Sequence, residues 1–163
     1  MTKYVLSLDG GGVRGLASAN FLRKLEFEMH KPLLEKFDLV CGSSTGGILA
    51  IALSVLKLNG SRLVNIYSSR NLKRIFSTSM PRVFGPKYGG RRKNNVLREY
   101  FGSLTLAEAE TPAIAVSYDL KNRSTRLFKT FEDKEMEAWK VASATSAAPT
   151  FFPAIKILSL IHI

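Results

Sequence analysis

The chain has 163 residues, of which 45% are hydrophobic and 23% charged, a balance typical of one globular domain rather than of a disordered segment. Its single cysteine excludes an intramolecular disulfide framework, and one cysteine with two histidines disfavours a zinc site. No uninterrupted apolar stretch approaches the length of a membrane span, and the first apolar run is interrupted at Asp9, so we expect a cytoplasmic protein.

The first elements along the chain are a strand, a glycine-rich loop and a helix. Residues 4–8 form an apolar run that predicts a buried strand, and residues 9–15 follow it as the loop. Residues 16–29 carry apolar side chains at helical spacing with charged ones between them, which predicts an amphipathic helix. Pro32 ends this helix.

The glycine-rich loop contains three consecutive glycines, Gly10, Gly11 and Gly12. Without side chains in the way, their backbone N–H groups can point at one spot. Acyl transfer requires such a spot, because its tetrahedral intermediate carries an oxyanion that N–H donors stabilise. Arg14 either adds a positive charge there or braces the loop. Asp9 is interpreted as a loop brace rather than a catalytic base.

The same loop allows a second interpretation, a dinucleotide site. Gly10-x-Gly12-x-x-Gly15 matches the Rossmann fingerprint and lies between a predicted strand and a predicted helix. That fingerprint also requires an acidic residue about twenty positions on, at the end of a second strand. Glu28 and Glu35 lie in the right interval, but neither ends an apolar run. A nucleotide-binding α/β domain is therefore the alternative and not the preferred function.

A second motif follows the next apolar run, at residues 37–41. Gly42-x-Ser44-x-Gly46 stands between this predicted strand and residues 48–56, which predict a helix buried on nearly all sides. Strand, Gly-x-Ser-x-Gly and helix together indicate a nucleophile elbow. Its turn is so tight that Gly42 and Gly46 must lack a Cβ, and it sets the Ser44 hydroxyl at the positive end of the helix.

The rest of the chain continues to alternate helices, loops and strands. Ser61 is expected to cap a further helix. Residues 81–95 contain two prolines, three glycines, five basic residues and no acid, so they predict a loop that is either a surface excursion or a mobile flap. Further predicted elements are a short helix at 96–101, strands at 114–118 and 125–128, a helix at 136–148 and an unpaired apolar strand at 155–163.

Residues 9–15 and 42–46 together resemble the signature of the patatin-like phospholipases, and residues 144–153 are similar to a third stretch of that family. The resemblance implies an α/β fold, a three-layer sandwich in which helices cover both faces of a mostly parallel central sheet. It implies hydrolysis of a phospholipid or another acyl lipid by a Ser–Asp dyad, without metal or organic cofactor. Ser44 is then the nucleophile, and the oxyanion hole comprises Gly10, Gly11, Gly12 and Arg14.

The chain departs from the family where the catalytic aspartate is expected. In the family this residue lies in an Asp-Gly-Gly or Asp-Gly-Ala turn soon after the third stretch, but residues 154–163 contain no acid. We therefore expect residues 1–154 to be the N-terminal part of a lipid acyl hydrolase domain, incomplete at its C-terminus, with residues 155–163 as an aberrant tail. Such a chain is expected to be a weak or inactive enzyme, or a lipid-binding remnant. His30 and His162 are poorly placed for a Ser–His–Asp triad.

The net charge of +11 is concentrated in one part of the sequence. Between Leu39 and Arg98 there is no acidic residue, whereas eleven basic residues fall within positions 57–98. These charges form either a solvated face or a surface that attracts anionic lipid headgroups and makes the protein peripheral to membranes. Nucleic acid is the disfavoured third partner, because no nucleic-acid motif accompanies the charges.

Overall fold

The computed structural model describes residues 2–77, 85–157 and 160–162. Its strands are β1 Val5–Leu8, β2 Leu39–Ser43, β3 Ala113–Asp119, β4 Ser124–Lys129, β5 Ile155–Ile157 and β6 Leu160–His162. Its α-helices are α1 Gly15–Met29, α2 Thr45–Leu56, α3 Gly60–Ile66, α4 Ser69–Ile75, α5 Gly90–Phe101 and α6 Ala138–Thr145. Short 3-10 helices occur at Gly12–Arg14, Leu33–Glu35 and Leu106–Glu108. The predicted α/β fold class is confirmed.

The strands form one mixed sheet in the order β1-β2-β3-β6-β5, with β4 also paired to β3. β1, β2 and β3 are parallel, with Val5 opposite Leu39 and Val40 opposite Ala113. β4 runs antiparallel to β3. Because β1 and β2 are parallel neighbours, their carboxyl ends lie at the same edge of the sheet. The glycine loop and the serine elbow, which follow these two ends, are therefore brought together.

The two faces of the sheet differ in burial. Val40, Ala115 and Phe128 share one face and are completely buried. Their neighbours along the strands point to the other face and remain accessible, with Val5 57% and Leu127 38% exposed. In the described part of the chain, the helices thus cover one face of the sheet, which we call the packed face, and leave the other open. The helices that the resemblance implies on the second face are not found among the described residues.

Helix α2 is the centre of the packed face. Ten of its twelve residues are buried, as its nearly continuous apolar sequence predicts. Lys57 ends it in the left-handed conformation. Among the described residues no helix has the length and apolar character required to cross a bilayer.

Several helix boundaries differ from the predicted ones, and one helix was not predicted. α3 begins two residues earlier than expected, because the side chain of Asn59, not Ser61, accepts the capping hydrogen bond from the N–H of Arg62. α4 was not predicted. α5 begins at Gly90, so residues 90–95 of the predicted loop are helical, while its residues 81–84 lie outside the described part.

The predicted unpaired strand at residues 155–163 is wrong as an element. β5 and β6 pair with each other in antiparallel fashion, and His162 of β6 lies opposite Asp119 of β3. The end of this segment is therefore joined to the sheet rather than left without a neighbour.

Candidate active site

Ser44 occupies the turn between β2 and α2, as the elbow motif predicts. Its backbone has φ 53° and ψ −121°, a conformation that non-glycine residues rarely adopt. The surrounding elements hold it there, since the residues on either side belong to a strand and to a buried helix. Ser44 is half-buried, and its N–H and side chain lie at the N-terminal end of α2, where the helix dipole favours negative charge.

Gly42 and Gly46 permit this turn for a steric reason. A Cβ on Gly42 would overlap the backbone of Gly46 and lie 2.8 Å from the N atom of Gly47. A Cβ on Gly46 would overlap the carbonyl of Leu8 in β1 and lie 2.8 Å from the carbonyl oxygen of Asp9. Glycine at both positions therefore lets α2 begin in direct contact with the ends of β1 and β2.

Thr145, the last residue of α6, fixes the elbow from the other side. Its hydroxyl oxygen accepts a hydrogen bond from the backbone N–H of Ser44 at 2.9 Å. The same hydroxyl donates to the carbonyl oxygen of Val116 in β3 at 2.5 Å. Thr145 thus ties Ser44 to a third strand. Thr145 was not predicted from the sequence, because a hydrogen bond across 101 positions leaves no local pattern.

The glycine loop lies directly against the elbow. A Cβ on Gly10 would be 3.0 Å from the Cβ of Ser44, so the two backbones are in contact. Gly11 and Gly12 have φ values of 153° and 59°, which glycine adopts without strain. Among the described residues, no acceptor is hydrogen-bonded to the N–H groups of Gly11 and Gly12. Both glycines line the same cavity as Ser44.

Arg14 braces this loop. Its backbone N–H donates to the carbonyl oxygen of Gly11 at 3.2 Å, and its Nε donates to the same oxygen at 3.4 Å. The side chain also lines the cavity described below, so it places a positive charge near the glycine N–H groups. In one conformation Arg14 therefore both braces the loop and adds a positive charge beside it, the two roles that the sequence left open.

A cavity of about 1050 Å³ opens in front of Ser44, Gly11 and Gly12. It is at the upper end of the range for small-molecule sites, about 300–1,000 Å³. Its wall is mainly apolar, and α2, α3, α4 and α5 all contribute to it. Apolar and aromatic lining residues include Ile48, Ile66, Leu72, Val96, Tyr88 and Phe152. A hydrocarbon chain is the ligand that such a wall would accommodate.

The charged residues that line this cavity are all basic. They are Arg14, Lys73 and Lys93, and no described Asp or Glu lines it. Lys93 is only 3% exposed, and burial lowers the pKa of its ammonium group from 10.5 to about 7. The sequence pattern predicted Lys93 to be one of the surface charges. Its spacing from Val96 and Leu97, at i+3 and i+4, was the available signal that it shares their buried helix face.

The candidate acids near the site have other roles. Asp119 is buried, and its carboxylate accepts hydrogen bonds from the backbone N–H groups of Lys121 and Asn122 and from the Asn122 side chain. It therefore braces the β3–β4 turn. Asp9 is exposed, and neither aspartate lines the cavity. His30 caps the far end of α1 in the left-handed conformation.

The Rossmann interpretation lacks its acidic residue in the structure. Glu28 lies inside α1 and Glu35 lies in a short 3-10 helix, whereas the strand that follows ends at Ser43. The loop itself contacts Ser44. A serine at a strand-to-helix turn, beside glycine N–H groups and an apolar cavity, is instead an arrangement that acyl-transfer chemistry in α/β proteins can use.

Comparison with known proteins gives the family. The model of the patatin-like phospholipase family matches residues 6–162, and the chain belongs to that family. Patatin-like protein 2 from Oryza sativa subsp. indica is 33% identical over 179 residues, which cover 92% of this chain and 44% of that protein. The cGAMP-activated phospholipase of Pseudomonas aeruginosa is 32% identical over 163 residues, 93% of this chain and 49% of that protein.

The fold has a clear relative among solved structures. VipD from Legionella pneumophila matches with a TM-score of 0.73 at 10% identity, over 98% of this chain and 45% of that chain. This likeness supports the fold alone. The chain spans about half the length of the curated relatives it matches.

Proposed function

We propose that this chain carries the nucleophile, the oxyanion hole and the acyl cavity of a lipid acyl hydrolase. The observation that carries the proposal is the position of Ser44. It stands at the mouth of an apolar cavity, between the N-terminal end of α2 and the free N–H groups of Gly11 and Gly12. The family supplies the substrate class, because patatin-like phospholipases act on lipids.

In the proposed reaction, the Ser44 hydroxyl oxygen attacks the carbonyl carbon of a lipid ester, and the hydroxyl proton passes to a base. The N–H groups of Gly11 and Gly12 donate to the oxyanion that forms, and Arg14 holds their loop. Collapse of the tetrahedral intermediate releases the alcohol, which takes up a proton, and leaves an acyl-Ser44 ester. Water then hydrolyses this ester to the carboxylic acid.

We further propose that residues 1–163 do not supply the base of the dyad. Residues 154–163 contain no acid, and neither Asp9 nor Asp119 lines the cavity. Positioned proton transfer is commonly worth about 10²- to 10⁴-fold in rate, so this chain by itself is expected to turn over esters slowly.

The direct test is covalent labelling with an alkyl fluorophosphonate, read out by mass spectrometry of the labelled peptide. We expect modification of Ser44 and loss of labelling in Ser44→Ala. Ser43→Ala is the matched control, because Ser43 is adjacent, exposed and on the same peptide. Labelling that persists in Ser44→Ala, or that is lost equally in Ser43→Ala, would reject Ser44 as nucleophile. Specific binding of NAD or FAD would instead support the nucleotide-binding alternative.

A turnover test addresses the oxyanion hole. Slow hydrolysis of a p-nitrophenyl acyl ester by the chain should fall about 10²- to 10³-fold in Gly11→Ala, because the added methyl group perturbs a left-handed glycine that presents an N–H donor. An unchanged rate with intact folding would remove this donor from the mechanism.

We also propose that positions 57–98, which we call the basic segment, bring the protein to anionic membranes. Among the described members of the segment, the exposed ones are Lys57, Arg62, Arg70, Lys73, Lys87, Arg91, Arg92 and Arg98. Some are partly neutralised, since Lys57 lies 3.5 Å from Glu110. Each remaining charge is worth about 1 kcal/mol near anionic headgroups.

Vesicle co-sedimentation tests this partner. Binding should rise with phosphatidylserine content and fall at high salt, because exposed charges are screened within about 10 Å at 0.1 M. The double variant Arg91→Gln, Arg92→Gln should bind more weakly. Lys121→Gln, Arg123→Gln removes the same charge from the exposed β3–β4 turn and serves as the control. Equal weakening by both pairs would indicate a dependence on net charge alone.

A further inference from the structure

Among the described basic residues of positions 57–98, Lys93 alone is buried. It lies on α5 and is 3% exposed. Its Nζ donates to the carbonyl oxygen of Ser143 at 2.9 Å and to the hydroxyl oxygen of Ser146 at 3.2 Å. The same atom lies 4.8 Å from the ring centre of Phe152. An ammonium group has three N–H donors, so these two hydrogen bonds leave one donor without a hydrogen-bond acceptor among the described residues.

This cation has no anionic partner in the described part of the chain. No carboxylate there lies within 4.0 Å of Nζ, and the other charged residues lining the cavity, Arg14 and Lys73, are also basic. A buried charge that lacks a counter-charge is unfavourable, and the lowered pKa of about 7 is the consequence. An anion entering the cavity would supply the missing charge and the third hydrogen bond.

Lys93 also lies close to the nucleophile. The two residues that accept its hydrogen bonds, Ser143 and Ser146, flank Thr145 in sequence. The hydroxyl of Thr145 accepts the backbone N–H of Ser44. The ammonium group and the elbow are therefore held by the same short segment at the end of α6, and both face one cavity.

We propose that Lys93 forms a subsite, inside the cavity, for the oxyanion of an amphiphilic ligand: a phosphate or a carboxylate attached to a hydrocarbon chain. The proposal rests on the proposed function for the lipid character of the ligand. The apolar wall takes the chain, and Lys93 takes the charged group. The phosphate would belong to a phospholipid headgroup, and the carboxylate to a fatty acid such as the one that ester hydrolysis releases.

The neighbouring charges do not replace Lys93 in this role. α4 and α6 pack against α5 and carry Arg70, Lys73, Arg74 and Lys140. Arg70 is exposed and does not line the cavity. Arg74 and Lys140 each form an ion pair with a glutamate. Lys73 lines the same cavity but is exposed, so its charge is solvated before a ligand binds. Lys93 is thus the cationic group on these helices that gains a proton when an anion binds near pH 8.

The experiment is isothermal titration of the chain with decyl phosphate, decanoate and decanol at pH 8, in buffers of different ionisation enthalpy. None of these ligands is an ester, so the outcome does not depend on Ser44 chemistry. Wild type should bind the anions with uptake of a large fraction of one proton and should bind decanol with none. Lys93→Met should weaken anion binding about 10- to 100-fold, abolish the proton uptake and leave decanol binding unchanged.

Lys121→Met is the control, because it removes an exposed lysine that lies outside both the cavity and positions 57–98. Preference for decyl phosphate would point to a headgroup, and preference for decanoate to a fatty acid. If inorganic phosphate binds as tightly as decyl phosphate, the hydrocarbon chain contributes nothing to binding, and the proposal of an amphiphilic ligand is overturned. Anion binding by wild type without proton uptake, or equal loss of all three ligands in Lys93→Met, would overturn the subsite. If Lys93→Met does not fold, Lys93→Arg decides the question: its guanidinium is already protonated at pH 8, so this variant should bind the anions without proton uptake, and uptake that persists in it would overturn the subsite.

Discussion

The two faces of the sheet differ although the same strands build both. On the packed face, Phe128 of β4 is completely buried beneath the helices, whereas the adjacent Leu127 points the other way and is 38% exposed. Apolar residues occur on both faces, yet only one set has helices packed over it in the described residues. Hydrophobic sequence alone therefore does not give burial, and the energetic difference between the faces can be measured.

Phe128 and Leu127 provide the largest expected contrast. Phe128→Ala removes a buried ring and should lower the free energy of unfolding by about 3–5 kcal/mol. Leu127→Ala removes a side chain that is already partly in water and should lower it by less than about 1 kcal/mol. Urea denaturation followed by circular dichroism measures both. Similar losses for the two variants would mean that the open face is covered in solution.

Substitution of Thr145 tests how strongly the packed face holds the turn at Ser44. Thr145→Val keeps the shape but removes the acceptor of the Ser44 N–H and the donor to Val116, which should destabilise the fold by about 1–3 kcal/mol. Fluorophosphonate labelling of Ser44 should slow as well. Thr145→Ser retains the hydroxyl and is the control. A valine variant that matches wild type in stability and labelling would show that Thr145 does not position the elbow.

The lowered pKa of Lys93 makes the free energy of unfolding depend on pH. Its pKa is about 7 in the folded chain and near 10.5 when unfolded, so the unfolded state binds more protons between these values. The free energy of unfolding should therefore rise with pH from about 7 to 10.5, by at most about 1.4 kcal/mol per pH unit. The difference between wild type and Lys93→Met isolates this contribution. A difference that stays constant from pH 6 to 10 would contradict the lowered pKa.

The open face should give the smallest effect on stability. Val5→Lys replaces a side chain that is 57% exposed and should change the free energy of unfolding by less than about 0.5 kcal/mol. It should nevertheless reduce self-association, because accessible apolar patches promote contacts between molecules. Sedimentation velocity at increasing concentration measures this. A large destabilisation by Val5→Lys would indicate that this face is packed.

Local sequence was sufficient to predict the elements that place Ser44. β1, β2 and α2 follow from apolar runs, and Gly42 and Gly46 follow from the steric demands of the turn between them. The glycine loop was predictable for the same reason. In each case the determining residues lie within a few positions of one another.

Other features were not predicted from the sequence, and the reasons differ. α4 was missed because its seven residues are too few to show helical periodicity and only Asn71 among them is buried. The start of α5 was missed because Gly89 and Gly90 resemble a loop. The burial of Lys93 arises from acceptors fifty and fifty-three positions away. The open face escaped prediction because alternation in a strand does not reveal which layers cover it.

The hydrogen bond between Ser44 and Thr145 has a consequence for the order of folding. Synthesis proceeds from the N-terminus, so β1, β2 and α2 leave the ribosome about a hundred residues before Thr145 does. During that interval the amide of Ser44 has no threonine to bind, and the strained backbone lacks one of its restraints. Long-range contacts of this kind are the slowest to form. We therefore expect the geometry of the Ser44 turn to be completed after β1 and β2 have paired, so that a nascent chain can be folded at its start before the proposed nucleophile is held in place.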